Sequence, residues 1–149
     1  MIPGELIFAD FGTREVLHQH GKAFTAIGRA KGYQWRAKKN CFANAANLAL
    51  EGRGHYCEGL ATLGGRTFPH AWVSRDGSEA IEVTLRVGER AEYFGIMLPL
   101  TFVERMVATL GEAGPWLDYW NPACPEAWTA LRSRSSREPR SLSVPLLAG

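Results

Sequence analysis

The apolar residues change period once along this chain, near Gly52-Arg53-Gly54. Before that point they recur at helical spacing. Val16, Leu17, Phe24 and Ile27 share one run with Ala23 and Ala26, and Ala43, Ala45, Ala46 and Ala49 fill a second. Beyond it come short alternating runs separated by Gly64-Gly65, Asp76-Gly77 and Gly88–Ala91, which read as strands over 55–63, 66–74, 79–87 and 92–98. Helices first and a strand meander afterwards predict an α+β fold, not a parallel, doubly wound sheet.

The remaining elements follow from the same rules. Residues 5–11 read as a short strand or extended arm. Thr13 caps a helix of roughly 14–31, or two helices if Gly21 and Gly28 divide it. Residues 32–40 form a loop, 41–50 a helix, and 101–111 a further helix opened by Pro99 and stopped by Gly114-Pro115. Trp116, Leu117, Tyr119, Trp120 and Trp128 form an aromatic cluster that caps the core. No repeat or second domain is visible, so 1–132 reads as one domain. From Ser133 apolar residues thin out, and 133–149 reads as a disordered basic Ser/Arg-rich tail, with an arm touching nucleic acid or membrane as the alternative.

Several classes are excluded on composition. With 46% hydrophobic and 21% charged residues the chain is an ordinary globular one. A net charge of +2 argues against a nucleic-acid-binding protein. No window approaches the roughly 18 apolar residues of a membrane span, and Met1-Ile2-Pro3-Gly4-Glu5 is not a signal-peptide start. Cys41, Cys57 and Cys124 are odd in number and widely spaced, which predicts reduced thiols in a cytoplasmic protein. No metal-ligand spacing occurs, and neither metal nor cofactor is expected.

The chemistry centres on Asn40-Cys41-Phe42-Ala43-Asn44. Asn40 is a good N-cap, so Cys41 falls in the first helical turn, among unpaired N–H groups at the positive end of the helix dipole. That setting favours a thiolate nucleophile. A nucleophilic cysteine needs a base, and the base needs an orienting group. Of the four histidines, His18 and His20 lie on the first helix and His55 opens a strand. His70, in Phe68-Pro69-His70-Ala71-Trp72-Val73, lies within a strand and shares a face with Trp72 and Ser74. Glu82, between Ile81 and Val83, is a carboxylate that a buried strand tolerates only with a partner.

Register decides whether Glu82 reaches His70. A two-residue turn at Asp76-Gly77 pairs Trp72 with Ile81 and turns Glu82 to the opposite face. A three-residue loop, 76–78, pairs Arg75 with Glu79 and Trp72 with Glu82, and puts Glu82 on the face of His70. Both registers are open to the sequence. Asp-Gly-Ser suits the second, with Gly77 in the left-handed region.

The Cys41 N–H supplies one oxyanion donor. Gln34, beside Trp35, is the candidate for the second, and Asn40 serves mainly as the cap. Arg29, Lys31, Arg36, Lys38 and Lys39 precede the cysteine, so the loop 29–39 offers a site for an acidic partner, or is simply a solvated basic loop. Each residue alone has a plainer reading. Cysteine is often core, a strand histidine is usually a satisfied buried group, and a strand glutamate is often an edge charge.

The order helix–Cys41, strand–His70, strand–Glu82 resembles the papain-like cysteine hydrolase superfamily, especially its compact NlpC-type branch and transglutaminase-like relatives. Gln34 resembles the glutamine upstream of the papain-type cysteine. Cys41-Phe42-x-Asn44-Ala45, Tyr56-x-Glu58-Gly59, His70-Ala71-Trp72-Val73, Glu82-Val83-Thr84 and Tyr93-Phe94-Gly95 are similar to small uncharacterised bacterial and phage proteins, whose carboxylate is usually Asp before Pro-Thr. The resemblance spans roughly residues 34–98. It implies N-terminal helices, and a nucleophile helix packed on an antiparallel sheet of about four strands. It also implies a hydrolase or acyl transferase acting on an amide, peptide, isopeptide or ester of a protein or peptide-like substrate. Cys41, His70 and Glu82 would form its triad, with Trp72 narrowing the cleft. The alternatives are an inactive papain-like binding module, such as a phage-type inhibitor of a host protein, and a nucleic-acid accessory protein using the basic loop and tail.

Overall fold

The computed structural model describes residues 11–111 and 114–120. The arm before residue 11, Trp128, Cys124 and the tail 133–149 lie outside them. The chain is α+β: α1 (Phe11–His20), β1 (Lys22–Gly28), α2 (Cys41–Leu50), β2 (His55–Leu63), β3 (Arg66–Ser74), β4 (Glu79–Ile81), β5 (Glu92–Met97) and α3 (Leu100–Leu110), with single 3-10 turns at 88–90 and 117–119. The five strands close into a small barrel in the order β1-β4-β3-β2-β5. Four of the contacts are antiparallel, and β1 runs parallel to β4.

Three expectations are corrected. The helix of 14–31 is α1 followed by a strand. The helix ends where the Gly21 N–H bonds the Leu17 carbonyl. Beyond it Phe24 is buried while Lys22, Ala23 and Thr25 are exposed, an alternation that suits a barrel stave. Phe24 and Ile27 also satisfy helical spacing, so the local pattern fits both periods, and pairing with β4 and β5 selects the strand. The sheet therefore has five strands rather than about four, and it is mixed. The expected third strand, 79–87, stops at Ile81 because both backbone N–H groups of Thr84 and Leu85 bond the Glu82 carboxylate, which folds the chain back.

The barrel has two dissimilar faces. Its interior holds Phe24, Cys57, Ala61, Trp72, Ala80, Ala91 and Tyr93. Space for the Trp72 ring comes from Gly95, where a Cβ would stand 2.7 Å from that ring and 2.5 Å from the Glu58 carbonyl oxygen. The outer face of β2 and β3 carries Tyr56, Leu60, Ala71 and Val73, which share one core with Ala45, Ala46, Leu48 and Ala49 of α2 and with Phe102, Val103 and Met106 of α3. The small side chains of α2 let it lie close against the sheet. Trp116, Leu117, Tyr119 and Trp120 complete this core. Buried Glu58 holds them in place: its carboxylate accepts the Tyr56 hydroxyl at 2.7 Å and the N–H groups of Trp116 at 2.9 Å and Leu117 at 3.1 Å.

Candidate active site

Helix α2 delivers Cys41 in its first residue, half-buried. Asn40 does not cap it: the Asn40 side chain makes no cap hydrogen bond, although the Asn44 N–H bonds its carbonyl. The N–H groups at the start of α2 are therefore left without a side-chain acceptor. Asn44 anchors the approach instead. Its amide nitrogen, one turn in, donates to the Ala37 carbonyl and to the Thr84 hydroxyl, each at 2.8 Å, tying the loop before Cys41 to the turn after β4. Lys39, just before the helix, has φ +66°, and among the described residues no other non-glycine has positive φ. Such strain costs about 1–3 kcal/mol and concentrates at functional positions.

His70 and Glu82 meet across the barrel interior. Val73 pairs with Ile81, which is the register of the three-residue loop, and Gly77 takes φ +85°. His70 Nε2 lies 2.8 Å from Glu82 Oε1. Glu82 Oε1 also accepts the Tyr93 hydroxyl at 2.6 Å, and Glu82 Oε2 accepts the N–H groups of Thr84 at 3.0 Å and Leu85 at 2.8 Å. Room for this carboxylate depends on Gly88, where a Cβ would come within 2.6 Å of the Glu82 side chain. Cys41 and His70 line one cleft, and the charge of Cys41 acts on the imidazole. Glu82 engages Nε2, which leaves Nδ1 for any other partner.

The charges follow from these contacts. Burial alone would lower the His70 pKa, but the hydrogen bonds and negative charge of Cys41 and Glu82 outweigh it and raise the imidazole to about 9. For Glu82, burial works upward, and the hydrogen bond and charge of His70, the Leu85 N–H and the Tyr93 hydroxyl hold the carboxyl below its ordinary range. Near neutral pH the pair is imidazolium and carboxylate. Burial and the neighbouring Glu82 charge push the Tyr93 phenol upward, so it stays a donor. Cys57 differs in kind from Cys41: it is fully buried, and desolvation pushes its thiol far above the ordinary range.

Cys41 and His70 open onto a cleft of about 600 Å³, whose wall includes Phe42, Phe68, Pro69, Leu85 and Val87, with Lys38, Lys39, Thr84 and Arg86. Gln34, Trp35, Asn40 and Trp72 are not part of that wall. Gln34 is exposed. Trp35 is flanked by the Arg29 and Arg86 guanidinium groups, 5.6 and 4.7 Å from its ring centre, and so organises the loop. Trp72 is 1% exposed and stacks beside His70 at 6.4 Å, behind the imidazole rather than across the cleft. Sequence reasoning missed Asn44, Thr84 and Tyr93. For Tyr93 the signal was present in Tyr93-Phe94-Gly95. Asn44 and Thr84 also lie within the quoted patterns, but the bond between them joins residues 40 positions apart and was not legible there.

No family model, curated protein or solved structure matches this chain. The site's chemistry rests on its own geometry. No group of three His, Cys, Asp or Glu side chains suited to a metal ion occurs among the described residues, and none of their helices is long and apolar enough to cross a membrane.

Proposed function

We propose that this chain is a cysteine-dependent hydrolase or acyl transferase of the papain-like type, acting on an amide, peptide, isopeptide or ester bond with Cys41 as nucleophile, His70 as acid and base, and Glu82 as orienting group. The observation that carries the reading is that Cys41 and His70 line one cleft, with His70 Nε2 at 2.8 Å from a Glu82 that is itself fixed by Tyr93 and two backbone N–H groups. Two further features support it. The nucleophile stands at a helix start that the Asn40 side chain leaves uncapped, suited to an oxyanion, and the order of the three residues is that of the papain-like families.

In this mechanism the Cys41 thiolate adds to the substrate carbonyl and forms a C–S bond. The tetrahedral oxyanion is held by the Cys41 N–H. The bond to the leaving group breaks, and that group departs with the proton of His70. Water, or an acceptor amine or alcohol, then attacks the thioester, gives its proton to His70 and releases the acyl product, which restores the thiolate. Glu82 stays ionised and steadies the imidazolium.

Limiting iodoacetamide followed by peptide mass spectrometry tests the nucleophile. Cys41 should alkylate first, at least about tenfold faster than the desolvated Cys57. A mass adduct on Cys41 after exposure to an activated ester should then form and decay. Alkylation of Cys57 ahead of Cys41 would remove the nucleophile, and the inactive binding module would replace the enzyme.

A further inference from the structure

Resting on the thiol-hydrolase reading, we infer that the acyl group transferred to Cys41 carries its own anionic group. Phe68 and Pro69 immediately precede His70 on β3, and with Leu85 they are shared with a second hollow of about 780 Å³ that continues toward Leu63, Arg66 and Thr67. Lys38 and Lys39 lead into Cys41, and Arg86 joins the wall of the same cleft, so an acyl group bound at sulfur meets three cations.

These three cations are poised rather than neutralised. Among the described residues no carboxylate pairs with any of them, whereas neighbouring Arg36 is paired with Glu51 at 3.0 Å. Arg86 is held by neutral partners only. It donates to the carbonyls of Val83, Thr84 and Arg36 and stacks on Trp35, so its geometry is fixed while its charge is uncompensated. Lys39 occupies a left-handed position that glycine would fill at lower cost, which fits a side chain needed for its charge. A carboxylate on the acyl chain, as in a dicarboxylic hemiester, is the complement of this wall.

The test compares two 4-nitrophenyl esters, the neutral butyrate and the anionic hemiglutarate, which share one aromatic leaving group. The hemiglutarate should have the higher kcat/KM, by about tenfold, and its advantage should shrink toward one as salt approaches about 1 M. The double variant Lys38→Gln/Lys39→Asn, in which asparagine tolerates the left-handed backbone, should bring the ratio of the two kcat/KM values close to one. Circular dichroism and the melting temperature of the variant confirm that it folds. A native ratio of one or less, with a Cys41 adduct formed by both esters, overturns this inference and leaves the hydrolase reading standing. A native preference that survives the double variant, and also survives Arg86→Gln added to it, overturns the inference, because the anion is then read elsewhere. No Cys41 adduct with either ester overturns both.

Discussion

Glu82 shows how much one residue's register decides. Its oddity was visible in the sequence, a carboxylate between isoleucine and valine, and the Asp76-Gly77-Ser78 loop favoured the register that sends it toward His70. What the sequence did not reveal was its crowd of donors, since Tyr93 and the turn N–H groups converge only after the chain folds back at residue 82. Glu82→Gln isolates the charge. The amide oxygen still accepts hydrogen bonds and still orients the ring, but it no longer stabilises imidazolium. The His70 pKa should therefore fall from about 9 toward 6.5, read by NMR titration of the imidazole. Turnover should fall less than on removing His70. A His70 pKa unmoved by the change would mean that Cys41 alone sets it.

At the level of elements, α2 and the hairpin β2–β3 were legible from period and turn glycines, and their observed bounds, 41–50, 55–63 and 66–74, are those the pattern predicts. Segment 22–28 was not, because its apolar residues satisfy two periods at once and only its neighbours distinguish them. The cap at Asn40 failed for a local reason: with Lys39 at φ +66° and Asn40 at φ −114°, ψ 43°, the asparagine side chain makes no bond to the helix. Packing between elements turns on glycines whose role no propensity scale records. Gly95→Ala would drive a methyl group against the Glu58 carbonyl and the Trp72 ring inside the barrel. It should lower stability by about 2–3 kcal/mol, measured by urea unfolding. A shift below about 0.5 kcal/mol, the ordinary range for surface changes, would mean that the two staves can move apart freely.

For the whole molecule, closure was beyond reach of the sequence. A meander predicts neighbours that follow one another, whereas β1 inserts between β4 and β5 from the far end of the chain. The folded chain also binds protons more tightly than the unfolded one at two buried sites. Burial raises Glu58 from 4.5 to about 7, against its hydrogen bonds to Tyr56, Trp116 and Leu117. His70 rises from 6.5 to about 9. In both cases stability is fully present below the unfolded value and is lost as pH climbs through the folded one. Urea midpoints should therefore decline from about pH 5 to pH 7 through Glu58, and again toward pH 9 through His70. Glu58→Gln should flatten the first decline only. Stability that rises over this interval would contradict both assignments. At the acid end the depressed Glu82 acts the other way, and its contribution is lost as pH falls below its ordinary 4.5. One more consequence belongs to the seam between β3 and β4. A single residue pair, Val73 with Ile81, joins those two strands, and the His70–Glu82 ion pair spans the gap just beyond it. The relay is thus also the buckle of the hoop. A chain that fastens its barrel with its own chemistry cannot lose His70 without loosening two staves, so inactivity in that variant would mix two causes. Cys41, outside the hoop, can be removed for its chemistry alone.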